Sequence, residues 1–192
     1  MLRLRVEGSF EGPGEVGFVE RTFELQGNFF NADEMFLQPS DRALGRGRRL
    51  MGDLIEAAQK LGVDRIKIQT RNIGRYAWLR MGFRPDAGSW RDMRKSLLAE
   101  IFRHEEALGP QALSHITRLI AQGGPETANL IAAYEQSVPS SRLFDQFGQT
   151  LLVPLGKVLL LDATGDWDGE FVLADAGMMR MAREYMEESG HG

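Results

Sequence analysis

Between positions 42 and 49 the chain reads Arg-Ala-Leu-Gly-Arg-Gly-Arg-Arg, two glycines among four arginines, directly before a helical period begins. Glycine at 45 and 47 removes side chains where a ligand must approach the backbone, and the first turn of a following helix leaves several N–H groups without intrahelical partners. With the positive end of the helix dipole behind them, such donors form a phosphate site. Arginine suits the same ligand because its planar fork donates bidentate hydrogen bonds. Two glycines after a strand often make only a turn; the arginines and the strand–turn–helix context are what point to an anion. A nucleotide-binding P-loop fits less well, since it ends in Gly-Lys-Ser/Thr and Gly47 is followed by Arg48-Arg49.

Other candidate groups are weaker. A second arginine set, Arg65, Arg71, Arg75, Arg80 and Arg84, reads as a solvated helix face. His104, His115 and His191 are scattered, so no metal cluster is expected, and His104 and His115 fall on polar or mixed faces where a lone histidine is surface decoration. Asp162, Asp166, Asp168 and Glu170 form an acidic run that could grip a cationic substrate or equally be a solvated turn. The absence of cysteine excludes disulfides, thiolate metal sites and a cysteine nucleophile. Net charge is −4 but uneven: residues 1–100 carry 17 Lys and Arg against 14 Asp and Glu, the rest 6 against 13. The basic half is the one to search for anionic ligands, while the acidic total argues against tight nucleic-acid binding.

The elements that must position the glycine–arginine turn can be read from period. Residues 1–10, 16–25 and 28–37 alternate apolar and charged side chains around Gly-Pro-Gly at 12–14 and Gly27-Asn28, which predicts three strands in an antiparallel meander. From Gly47, Leu50, Met51, Leu54, Ile55, Ala58 and Leu61 share one helical face, closed by Gly62. A strand over 65–70 and a short helix over 73–81 ending at Gly82-Phe83 follow, with the last two strands expected to be parallel. Helical spacing then runs through Trp90–Phe102, Leu113–Ile120 and about 126–137, interrupted at Gly109-Pro110 and Gly123-Gly124-Pro125. Two apolar runs, 151–161 and 169–173, read as a hairpin around Thr164-Gly165-Asp166, and Asp175 as the N-cap of a terminal helix to about Glu188. No apolar run approaches a membrane span, and the alternating first residues lack the continuous core of a signal peptide, so a cytoplasmic protein of ordinary globular composition is expected.

Arg42-Ala43-Leu44-Gly45-Arg46-Gly47, preceded by Leu37-Gln38-Pro39 and followed by this helix, strand and short helix, resembles the GNAT superfamily of acyl-CoA-dependent N-acyltransferases, whose signature is Q/R-x-x-G-x-G/A directly after its fourth strand. The resemblance covers roughly residues 28–85. It implies an acyl-CoA, acetyl-CoA or a related thioester, as co-substrate. Its pyrophosphate would lie against the backbone of Leu44, Gly45, Arg46 and Gly47, with Arg42 and Arg48 on the basic flank. Its pantetheine would lie between two splayed strands beside Leu37 and Pro39. Acyl transfer also needs a deprotonated amine, and Glu34, three residues before Leu37, is the best placed carboxylate; Asp33, on the opposite face by simple alternation, is the fallback. Where the family often has a tyrosine acid, four residues before Gly-Phe, this chain has Trp78, whose indole has no readily titratable proton; it is expected to be a packing residue. Tyr76 is about 200° around the helix from it.

The expected fold is α/β: a GNAT-like mixed sheet with flanking helices, plus a helical insertion or C-terminal appendage. The expected divisions are 1–89 as the acyl-CoA-binding core, 90–148 as a helical segment, and 149–192 as a hairpin and terminal helix that complete the core. The leading function is N-acyl transfer from acyl-CoA to an amine. A GNAT-derived binding or structural protein without catalysis, and an acyltransferase toxin or effector, are the other classes. No residue pattern encodes the acceptor or an oligomeric state.

Overall fold

The computed structural model describes residues 3–12, 15–24, 27–36, 46–144 and 148–187. In chain order the strands and helices are β1 (Arg3–Gly12), β2 (Glu15–Glu24), β3 (Phe29–Phe36), α1 (Arg46–Lys60), β4 (Arg65–Gln69), α2 (Gly74–Arg80), β5 (Arg84–Pro85), α3 (Ala87–Ile101), α4 (Glu105–Gln122), α5 (Thr127–Ala132), β6 (Ser137–Phe144), β7 (Thr150–Pro154), α6 (Leu155–Val158), β8 (Asp168–Val172) and α7 (Ala176–Glu187). A 3₁₀ turn, Phe102–His104, links α3 to α4, and a π-helical turn, Leu159–Ala163, extends α6. The fold is mixed α/β, and no helix among the described residues is long and apolar enough to cross a membrane.

Two compact units result: Met1–Gln69 with Glu170–Gly192, and Thr70–Gly169. These bounds differ from the divisions expected after residues 89 and 148. A change of period marks where an element ends and is silent on which elements pack together.

In the first unit β1, β2 and β3 form the antiparallel meander, and β3 pairs in parallel with β4, as the alternation and the intervening helix require. The Glu170–Val172 end of β8 lies on the other side of β4, where Leu173 N–H donates to the Asp64 carbonyl at 3.0 Å. Phe30, Ala32, Ile66 and Ile68 are buried, as are Met51, Leu54, Ile55 and Ala58 of α1. Each of the larger ones, Phe30, Met51, Leu54, Ile55, Ile66 and Ile68, contributes roughly 1.5–3 kcal/mol on full burial. Gly62 takes a φ of 66° past the end of α1, and the Gly62 and Val63 N–H groups return to the carbonyls of Gln59 and Ala58. An L side chain there would be strained, so glycine defines the stop. Asp175 caps α7, its Oδ1 accepting from the Gly177 and Met178 N–H groups at 2.8 and 3.0 Å.

The second unit is mainly helical. Asp86 caps α3 by accepting from Ser89 N–H at 2.7 Å, and Gly109 (φ 72°) bends the run 105–122 before Pro110. The hairpin expected over 151–161 and 169–173 does not form. Its first segment divides: Thr150–Pro154 pairs instead with β6, and Leu155–Ala163 becomes helical. Leu155, Val158, Leu159 and Leu160 are buried there, so the continuous apolar run belonged to a buried helical turn, which periodicity over so short a span cannot tell from a strand. A short strand also precedes the helices. Arg84–Pro85 follows Gly82-Phe83 at once, with the Asp86 N–H donating to the Asp168 carbonyl at 2.9 Å.

Candidate functional site

Of the residues expected to hold the cofactor, Leu37, Pro39, Arg42, Leu44 and Gly45 lie outside the described residues. Arg46, Gly47 and Arg48 open α1, a 15-residue helix with no acidic residue in its first turn. That turn holds Arg46, Arg48 and Arg49 instead. A helix N-terminus favours negative charge by about 0.3–1 kcal/mol per group and disfavours cations by a similar amount. Three arginines in the first turn are thus placed where the dipole favours anions. Arg49 is exposed, whereas Arg48 is half-buried, its guanidinium carbon 4.7 Å from the centroid of the Tyr185 ring on α7.

The strands that lead to this turn are shaped by one irregularity. Phe29–Ala32 pair with Arg65–Ile68, after which β3 continues to Phe36 while β4 stops at Gln69. At the same place the β2–β3 register slips. Thr22 is opposite Asn31 but Glu20 is opposite Glu34, so Ala32 and Asp33 together face the single residue Arg21. This is a β-bulge, which bends a strand and increases its twist. It shifts the phase of β3 between Ala32 and Asp33. Glu34 stands in register with Glu20, and Glu20 with Glu7, a row of three glutamates across the meander. The sequence gives little warning of the bulge, because the doublets Phe29-Phe30 and Met35-Phe36 leave the phase of β3 undefined.

No family model matches the chain, and no curated protein matches it. The solved crystal structure of nourseothricin acetyltransferase is similar to part of it. The identity is 23%, the TM-score 0.39, and the match covers 43% of this chain and 52% of that one. It thus spans about half the length of that protein.

Several side chains singled out by type have other work. Arg65 pairs with Glu170 at 3.1 Å. Arg75 donates to the Asn72 carbonyl at 3.0 Å and to the Thr164 carbonyl, while Arg80 and Arg84 are also partnered. This second arginine set is therefore largely tied into the fold, and among its members Arg71 is exposed. The acidic run is dispersed over a π-helical turn, a loop and a strand. Among the described residues no group of three histidine or acidic side chains could hold a metal. Trp78 is buried and meets Phe83 edge to face, with centroids 4.8 Å apart and planes at 64°. It is a packing residue of the second unit.

His104 is not the surface residue its polar neighbours suggested. It is buried, with Nε2 3.9 Å from Glu100 Oε1 and without a hydrogen-bond partner. Burial pushes the imidazole below its ordinary value, with Glu100 and Asp162 acting the other way and Arg103 adding slightly to the depression. His115 is exposed, and His191 lies outside the described residues.

Proposed function

We propose that the protein is an acyl-CoA-dependent N-acyltransferase whose donor site lies in the first unit. The observation that carries this reading is the N-terminus of α1: a 15-residue helix opening on arginines, without an acid in its first turn, directly after Gly45-Arg46-Gly47. The resemblance of Arg42–Gly47 to the GNAT signature supports it, as does β3, whose parallel pairing with β4 ends at a bulge before the strand does. On this reading the N–H groups of Leu44–Gly47 take the pyrophosphate, with Arg42 and Arg48 beside them, and the backbone at Leu37 and Pro39 takes the pantetheine.

The acyl group, acetyl or a related one, passes to an amine. Glu34 accepts a proton from the amine, the amine nitrogen bonds to the thioester carbonyl carbon, and the C–S bond breaks. The departing thiolate takes its proton from water. A thiol reference pKa near ~8.5 makes that exchange feasible without a side-chain acid. Trp78, buried against Phe83 at the family's tyrosine position, favours a second reading: a protein that binds CoA and has lost turnover.

Gly45→Glu should abolish CoA binding in calorimetry, because it adds bulk and negative charge where phosphate must sit. Undiminished affinity in the folded variant would sink the cradle. Incubation of the wild type with acetyl-CoA and a broad amine panel, followed by thiol detection, separates the readings: no thiol release from a protein that binds CoA favours the second.

A further inference from the structure

The joint between α3 and α4 holds a buried titratable group, His104, that the proposed reaction does not use. The charged groups around it come from three elements: Glu100 in the last turn of α3, Arg103 in the 3₁₀ turn that carries His104 itself, and Asp162 in the π-helical turn. Glu105 and Glu106, which open α4, are exposed. Glu100 and His104 are both buried, whereas Arg103 is exposed. Glu100 Oε2 lies 3.0 Å from Arg103 Nη1, while His104 Nε2, without a hydrogen-bond partner, is 3.9 Å from Glu100 Oε1. The buried carboxylate is thus paired with the exposed cation and stops short of the buried imidazole.

Helix type explains that choice. In a 3₁₀ helix residues three apart eclipse, so a tight turn lines Glu100 up with Arg103; in an α-helix residues four apart also share a face, which would bring His104 to it. The His104 backbone, at φ −106° and ψ 13°, is where the chain leaves α-helical geometry, and Glu105, at −53° and −47°, has already returned to it. Burial holds the imidazole below its ordinary value, while Glu100 and Asp162 pull the other way and Arg103 adds to the depression. An imidazolium donates from both nitrogens, and its bond to a carboxylate is charge-assisted. Proton uptake from solvent therefore supplies Nε2 with the attraction to Glu100 that the neutral ring lacks.

We propose that His104 is a proton switch for the α3–α4 joint: on protonation it closes on Glu100 Oε1, at the expense of Arg103, and draws the Phe102–His104 turn from 3₁₀ toward α-helical geometry. The device lies within the second unit and is independent of the donor-site reading.

The test is an NMR pH titration of the full chain, following the His104 ring and the Cα shifts of Phe102–His104, with near-UV circular dichroism to mark the folded range. The chain has three histidines, so loss of one ring signal in His104→Gln assigns it. The Cα shifts should move toward α-helical values with the same midpoint as the ring, and that movement should be lost in His104→Gln. Glu100→Gln, which keeps the shape and removes the charge, should lower both midpoints. Arg103→Ala, at an exposed position, should raise both. A ring that titrates in the folded chain while the shifts of the turn stay fixed overturns the proposal, as does a movement of the turn that survives in His104→Gln. A chain that unfolds in acid before the ring titrates overturns it too, because the switch then never operates. If His104→Gln does not fold, Arg103→Ala carries the test: ring and turn midpoints that fail to rise together overturn the proposal.

Discussion

The two units use their polar side chains differently. In the second, donors are turned inward onto main-chain carbonyls. Trp90 Nε1 donates to Gly123, Trp167 Nε1 to Arg75, and the Asn129 amide to both Leu79 and Phe83 at 2.7 and 2.8 Å. At Gly123, Leu79 and Phe83 these bonds reach carbonyls at or just past helix ends. In the first unit the sheet supplies the backbone partners, and the opening turn of α1 gathers arginines with no acid in that turn. The contrast is in keeping with the proposed assignment, binding in the first unit and structural ties in the second.

The sharpest way to break that assignment is kinetic. If Glu34 is the base, Glu34→Gln should lower the acyl-transfer rate by about 10²–10⁴-fold with CoA affinity little changed. Full turnover in Glu34→Gln, read from thiol release, would remove Glu34 from the mechanism. The next effect is thermodynamic and belongs to the second unit. Asn129→Leu removes the two amide bonds to the Leu79 and Phe83 carbonyls and should cost roughly 2–4 kcal/mol in denaturant unfolding. In the fraction that remains folded, CoA affinity should stay near wild type; a parallel loss of affinity would show that the division of labour is wrong.

The smallest expected effect is a pH slope. The folded state holds His104 below its ordinary 6.5 mainly through burial, so the unfolded chain binds the proton first as pH falls. The stability that neutral His104 contributes is therefore fully present above about pH 6.5 and declines as pH drops through its folded value. His104→Gln should flatten Tm against pH across that window. An unchanged slope would mean that Glu100 and Asp162 together offset the burial.

Much of this was legible beforehand, for physical reasons particular to each element. The alternation over 1–37 gave the meander, Leu50 to Leu61 gave α1, and Gly62 and Asp175 gave a stop and a start, because each is a local rule. The hairpin at 151–173 failed because Leu155–Leu160 is buried all round and carries no period. His104 was misplaced because burial there follows from the packing of α3 and α4 with the 3₁₀ turn between them, which neighbours in sequence do not report. The bulge at Ala32-Asp33 and the Tyr185–Arg48 contact depend on register and on a separation of more than a hundred residues, and no spacing rule reaches that far. The motif residues fared differently: Arg46–Arg48 fall at a helix start as their types suggested, while most of the turn before them lies outside the described residues.

The placement of β8 also constrains how the chain can be made. Arg65 and Glu170, which pair beside one another in the first unit, are 105 residues apart in sequence. Closing a flexible loop of that length costs roughly 4 kcal/mol in the length-dependent part of the chain entropy alone. A ribosome releases Thr70–Gly169 before it releases Glu170, so the second unit is complete in sequence while β4 still has an open edge. Edges of that kind invite pairing with other chains. The order of synthesis therefore favours a second unit that folds early, shortens the effective tether and brings β8 to β4 before a neighbouring nascent chain can take its place.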